Sequence, residues 1–174
     1  MRSAAVRELG PRWDERKGTP ARRRPLYTTD ERFRRDQTCW TLVQGVLAPV
    51  QFLVFAVSLV LVVRYLATGY GLAAADASVV VKTLALYAIM ITGALWEKAV
   101  FGRYLFARAF FWEDVVSMGV IALHTAYLVA LITDRLTPSG RLWLALAAYA
   151  AYVLNATQFV LKLRAARREV PRLA

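Results

Sequence analysis

Glu113 and Asp114 stand side by side, Glu97 precedes them by 16 residues, and the one histidine, His124, follows Glu113 by 11. Carboxyl and imidazole groups are the side chains that deliver and remove protons in a reaction, provided their surroundings keep them in the working protonation state. A carboxyl group desolvated at membrane depth favours its protonated form. Glu113 or Glu97 is therefore a candidate general acid, with Asp114 and His124 as partners. Asn155 and Gln158, three residues apart, add uncharged hydrogen-bonding groups on one helical face. Lys98, Arg103 and Arg108 offer cations for an anionic substituent, and Trp96 and Trp112 offer flat aromatic faces. With a single cysteine, Cys39, neither an intramolecular disulfide nor a thiolate metal cluster can form, and one histidine leaves little scope for a transition-metal site.

These groups must be positioned by strongly apolar elements. Of 174 residues 58% are hydrophobic, while 23 Lys and Arg face 12 Asp and Glu for a net charge of +11. That apolar fraction excludes intrinsic disorder and is unusual for a soluble domain. Four apolar runs, at about 40–66, 77–96, 111–132 and 142–163, are each long enough at about 1.5 Å per residue to cross a hydrocarbon core of roughly 30 Å. The expected fold is all-α, a polytopic membrane protein with four transmembrane helices in a bundle. Pro49 is expected to kink the first span, which a bundle tolerates because neighbours satisfy the freed carbonyl. Gly69 and Gly71 mark the first turn, and Pro138 and Gly140 the last. Residues 1–25 read as a basic mobile tail on anionic headgroups, 26–168 as the membrane domain and 169–174 as a C-terminal tail. The first span follows too long a leader, and is itself too long, for a cleaved signal peptide.

Location explains the charge. Nineteen of the 23 basic residues fall in 1–39, in the 97–111 loop or from Lys162 onward. By the positive-inside rule both termini and that loop are cytoplasmic. Nucleic-acid binding then has no call on the charge, which reports orientation.

Each span carries one polar stripe. The third gives Glu113, Ser117, Val120, His124, Tyr127 and Leu131; the second Thr83, Tyr87, Met90, Ala94 and Glu97; the first Gln44, Ala48, Gln51, Phe55 and Ser58; the fourth Ala151, Asn155, Gln158 and Lys162. Such stripes fit a compact bundle with a polar interior. Asp114 lies about 100° from Glu113 around the helix, so the two acids need not share a target. Depth places the acids, Gln44, Asn155 and Gln158 in the cytoplasmic half, where a polar cavity suits an amphiphilic substrate entering from the inner leaflet. Plainer readings stand beside this. Asn155, Gln158, Gln44 and Gln51 read more readily as interhelical glue than as catalytic groups, His124 more readily as a hydrogen-bonded core residue than as a ligand, and Glu97 and Lys98 equally as an interfacial ion pair. Lys82 reads as a snorkelling side chain reaching the outer headgroups, and Phe101 to Trp112 as an interfacial aromatic belt.

The stretches TLVQGVLAPVQFLVF, VVVKTLALYAIMITGALWEKAVFGRYLFARAFFWEDV, LHTAYL and YVLNATQFVLKLRAAR resemble the vinyl (bacterio)chlorophyllide hydratase family of bacteriochlorophyll biosynthesis. The resemblance runs from about Leu26 to Arg168 and is most specific in WEKAVFGRYLFARAFFWED. It implies a hydro-lyase of the bacterial inner, photosynthetic membrane that adds water to the C3-vinyl group of a chlorophyllide, giving a 1-hydroxyethyl side chain. It carries over no residue roles. The chemistry needs a proton on the terminal vinyl carbon, delocalisation of the resulting cation by the macrocycle, and water on the adjacent carbon. Glu113 is the expected acid, with Asp114, Glu97 and His124 orienting water and placing the pigment. No cofactor and no protein-bound metal is required, since the substrate carries its own magnesium, for which His124 is a possible axial ligand. Lys98, Arg103 and Arg108 suit the propionate, and Trp96, Phe106, Phe110, Phe111 and Trp112 the flat ring. The partners expected are the chlorophyllide, water and the lipid bilayer, with other pigment enzymes or a second copy as further candidates and no nucleic acid. Two rival functions are a non-enzymatic pigment carrier or assembly factor and a small four-span transporter.

Overall fold

A computed structural model describes residues 13–14, 19–20 and 26–169, with side chains placed from 26 to 166. The reading of 1–25 as a tail therefore lies almost wholly outside the described residues. A two-residue antiparallel pairing joins β1 (Trp13–Asp14) to β2 (Thr19–Pro20). Five helices follow: α1 (Thr29–Gln37), α2 (Cys39–Thr68), α3 (Leu72–Phe101), α4 (Phe111–Thr133) and α5 (Pro138–Glu169).

The last four are long and apolar enough to cross a membrane, as the hydropathy predicts, so the protein is a multi-pass membrane protein. Their outer surface is what lipid requires. Leu53, Val60, Ile91 and Leu154 are each about two-thirds exposed, where a soluble protein would bury them. All four helices outrun the expected spans, because their ends are set by caps and not by hydropathy. Gly69 and Gly102, both with positive φ, close α2 and α3 and return their N–H groups to the carbonyls of Tyr65 and Lys98. α2 continues through Pro49 as one helix.

The helices pack as two antiparallel hairpins, α2 with α3 and α4 with α5, docked face to face. One apolar core lies between them at the end bearing the two short turns, around Phe55, Val62, Val79, Tyr127, Leu142 and Tyr149. A second, aromatic core closes the opposite end around Tyr27, Val100 and Phe110.

α1 was not foreseen, although its start is legible. Thr28 accepts from the Glu31 N–H while Glu31 returns a bond to the Thr28 N–H, a capping box in the order Thr-x-x-Glu. Just before it, Tyr27 inserts beneath the bundle, stacked on Phe101 at 5.8 Å. Burial pushes its hydroxyl up to about 12, against the opposing pull of Arg35, whose guanidinium lies over the ring at 5.0 Å.

Candidate functional site

The acids gather at the α1 end of the bundle. Glu97 sits in the last turns of α3 and Asp114 in the first turn of α4, and the short loop between those helices folds back over both. The Phe106 N–H donates to Asp114 Oδ2 at 2.7 Å and the Ala107 N–H to Glu97 Oε2 at 3.1 Å. Both acids are buried, held by the N–H groups of two successive residues of one loop. Phe106 holds a left-handed backbone, φ 58°. That conformation costs a non-glycine residue about 1–3 kcal/mol, and it aims successive N–H groups at two carboxyls.

Glu113 faces elsewhere, as its angular offset from Asp114 predicts. Its Oε2 accepts from Lys162 Nζ at 2.5 Å, joining α4 to α5, and the ammonium also lies 5.1 Å from the Phe110 ring. One turn deeper, Asn155 Nδ2 donates to Ser117 Oγ at 2.8 Å. The α4 stripe is buried as expected except at its far end, where Ala130 replaces Leu131.

Other expectations divide. Glu97 and Lys98 form no ion pair. Lys98 is exposed, donates to the Gly102 carbonyl at 3.1 Å and lies 5.1 Å from the Tyr104 ring. Arg103 and Arg108 are exposed on the same loop. Gln158 is exposed and Ala48 is on the outer surface, so the fourth and first stripes are narrower than their spacing suggests. Gln44 bonds Thr92 at 2.7 Å, which is the glue reading.

The aromatic residues separate into two groups. Trp96 and Phe110 are consumed by the core, with Phe110 stacked on Phe159 at 5.8 Å and edge-on to Trp96 at 5.6 Å. Phe110 is buried by these contacts, while Trp96 stays partly exposed. Trp96 also donates to Thr41 at 3.0 Å. Phe106, Phe111 and Trp112 form a second chain of contacts at 5.8 and 5.4 Å, and Trp112 is 71% exposed.

His124 is not with the acids. Eleven residues of helix at 1.5 Å each put it about 16 Å farther along α4. Its Nδ1 lies 2.9 Å from the Val120 carbonyl; a carbonyl only accepts, so Nδ1 carries the proton and, in the neutral ring, Nε2 presents a lone pair. Lys82 corrects the snorkelling expectation. It is fully buried, with Nζ 3.7 Å above the Tyr152 ring, because it lies on the inward face of α3 beside Thr83.

A further network went unnoticed in the sequence. At the turn end, Arg141 donates to Asp76 at 2.7 Å, Tyr127 donates to the same carboxylate at 2.7 Å, and Asp134 lies 3.4 Å from the guanidinium. The available signal was one acid and one base in apolar helices, Asp76 and Arg141, each near the start of its helix at the same end. A hollow of about 470 Å³ between α2 and α5 is lined by Phe55, Leu59, Leu146, Tyr149, Ala150, Val153 and Leu154. It is apolar and remote from the acids, and suits lipid chains better than this chemistry.

The geometry therefore offers a carboxyl pair, an adjacent exposed aromatic face and a rim of cations, at one end of a membrane bundle. The family described as 2-vinyl bacteriochlorophyllide hydratase (BCHF) matches residues 27–165. A protein of Cereibacter sphaeroides named 2-vinyl bacteriochlorophyllide hydratase is 66% identical over 148 residues, covering 84% of this chain and 91% of that protein. One of Rhodobacter capsulatus with the same name is 66% identical over 145 residues, covering 83% and 84%. No solved structure matches.

Proposed function

The chain belongs to the 2-vinyl bacteriochlorophyllide hydratase family, and on that basis we propose how its buried acids hydrate a pigment. The protein is a hydro-lyase of bacteriochlorophyll biosynthesis that adds water to the vinyl group of its substrate. The observation that carries the site reading is the Glu97–Asp114 pair under the backbone of Phe106 and Ala107.

A carboxylate has only acceptors, and two buried carboxyl groups held by successive N–H groups of one loop are costly as two anions, so in this reading the pair keeps one proton. The helix ends decide where it resides. Asp114 lies at the N-terminus of α4, where the macrodipole and the shorter N–H bond favour the anion, while Glu97 lies at the C-terminus of α3, where a negative charge is disfavoured. Glu97 is the general acid and Asp114 the carboxylate that returns the proton to it. The vinyl group takes the proton at its terminal carbon. Its π electrons form the new C–H bond, and the macrocycle delocalises the positive charge left on the adjacent carbon. Water bonds to that carbon, and its surplus proton passes to the carboxylate pair, so each turnover consumes one water and restores Glu97.

The flat ring lies against Phe106, Phe111 and Trp112, the aromatic faces left open beside the loop, and its propionate is met by Lys98, Arg103 or Arg108. Glu113, held by Lys162, and Asn155, held to Ser117, fix the neighbouring wall. This end of the bundle faces the cytoplasm and the membrane is the bacterial inner, photosynthetic one. The skew of basic residues supports that orientation, and an even number of spans keeps α1 and the end of α5 on one side.

Conversion of vinyl chlorophyllide by membranes containing the protein tests the reading, with product analysis by mass. A hydratase yields a product heavier by one water; recovery of the pigment unchanged would favour a carrier.

A further inference from the structure

Beyond the acid pair, the interior is lined with polar groups that the chemistry above does not use. Among the described residues, four buried polar atoms have no hydrogen-bond partner: Gln51 Oε1, Lys82 Nζ, His124 Nε2 and Asn155 Oδ1. They come one from each spanning helix, and each residue is 9% exposed or less. All four face inward, where no headgroup can reach them.

Their contacts place them along one column. Lys82 Nζ lies against the Tyr152 ring and the His124 ring against Tyr149, centroids 5.9 Å apart. Both tyrosines pack on Phe55, at 5.1 and 5.3 Å. Lys82 and His124 therefore sit at one level, on the two sides of the same turn of α5. Gln51 is one turn from Phe55 along α2, and Asn155 one turn from Tyr152 along α5. Asn155 holds Ser117, which is one turn above Glu113 and roughly 10 Å below His124 along α4.

The chemistry of the four atoms is mixed. Lys82 only donates, whereas Gln51 Oε1, Asn155 Oδ1 and the His124 Nε2 lone pair accept. A ligand that satisfies them must both accept and donate, in small units. Water does this, and a buried water needs two to four polar partners. We propose that these four unpartnered atoms are bridged by a short file of water running from Lys82 and His124 past Gln51 to Asn155 and Ser117, and that this file supplies the water consumed at the acid pair. The supply role rests on the hydratase reading; the water site itself does not.

The file delivers water from inside the protein, while the pigment covers the site from its aromatic side. Lys82 and His124 are positioning residues in this scheme. They hold water and do not touch the substrate.

Two measurements on the full-length protein in membranes test this. Hydroxyl-radical footprinting by X-ray radiolysis of water labels side chains next to bound water. Labelling of His124, Tyr149 and Tyr152 is expected in the native protein and its loss in Lys82→Met, while the lipid-facing Phe52 stays unlabelled in both. Protection of all three in the native protein would overturn the water site. In the hydration assay, Lys82→Met and Asn155→Leu are each expected to lower kcat about 10- to 100-fold with the KM for pigment unchanged, the scale of a misplaced reactant. Unchanged kcat in both, with labelling lost, would overturn the supply role. A native protein that labels as expected but forms no hydrated product would refute the hydratase reading and leave the water site standing.

Discussion

Replacing Glu97 by Gln isolates the proton from everything else that the side chain does. The amide oxygen still accepts from the Ala107 N–H, now 3.1 Å from the carboxyl oxygen, and the amide nitrogen can donate where the acid proton did. No buried group is left unpaired, so folding stability should change by less than about 1 kcal/mol. What disappears is the acidic hydrogen. Positioned acid catalysis is worth about 10²–10⁴-fold, so kcat should fall by that factor, equivalent to about 3–5 kcal/mol in the barrier at 1.36 kcal/mol per tenfold. Because the aromatic face and the basic rim are untouched, KM should stay within about threefold, as for an interaction made only in the transition state. Glu113→Gln provides the contrast. It breaks the pair with Lys162, whose side chain keeps 25% exposure, and should lower thermal stability more than turnover. The assay is conversion of vinyl chlorophyllide by membranes of a host lacking its own hydratase, with each variant's level measured alongside. Near-normal turnover in Glu97→Gln with abolished turnover in Glu113→Gln would refute the assignment, and near-normal turnover in both would refute carboxylic-acid catalysis altogether.

Other perturbations have definite expectations. Arg141→Met leaves Asp76 without its counter-charge at the turn end, with only the Tyr127 hydroxyl as donor, and should destabilise the protein by about 3 kcal/mol; Asp76→Asn added to it should recover much of that loss in a detergent melting measurement. Thr28→Ala removes the capping oxygen of α1 and should cost about 1 kcal/mol, read as faster amide exchange confined to residues 29–37. A periplasm-active reporter inserted near Gly71 should be active and one near Arg103 inactive, and the reverse result would move the acid pair to the other face of the membrane. Trp112→Ala removes an exposed aromatic face while leaving the Phe110 core intact, and should raise KM for pigment several-fold with little change in kcat.

Periodicity was sufficient wherever one face of a helix is buried and the rest meets lipid. The α4 series Glu113, Ser117, Val120, His124 and Tyr127 is buried at every position, because in a bundle a polar group has nowhere else to go. The same reasoning failed for Lys82. Snorkelling is available only to a side chain on the lipid face, and the position of Lys82 next to Thr83 turns it inward, a fact set by the docking of the hairpins. Gln158 failed in the opposite sense: α5 turns it outward, although its spacing from Asn155 fits the stripe. The pairing of Glu97 with Asp114 was illegible for a different reason. They are 17 residues apart, and what joins them is a loop whose backbone bends at Phe106, a non-glycine residue that gives no warning of a left-handed conformation.

That loop links the site to the architecture. It is the only covalent connection between the two hairpins, and it donates both N–H groups that hold the acids. The acid pair is therefore assembled by hairpin docking: Glu97 arrives on one hairpin, Asp114 on the other, and each alone would be a costly buried carboxyl group. In the proposed mechanism the pair holds a proton at the edge of a low-dielectric bundle, where its transfer to a hydrocarbon substituent is not diverted to bulk water. The tight aromatic packing of Tyr27, Phe101, Phe110 and Phe159 on the inner side of the loop keeps that backbone from relaxing. On the same mechanism a substrate approaching from the bilayer would meet the loop's outer aromatics, Phe106, Phe111 and Trp112, before the acids behind them. The proposed site carries a prediction about selectivity: an ethyl-bearing pigment has no π bond to protonate and should bind without turnover, whereas a substituent that must part the two hairpins should bind more weakly than vinyl, read as a raised KM or inhibition constant in the same assay.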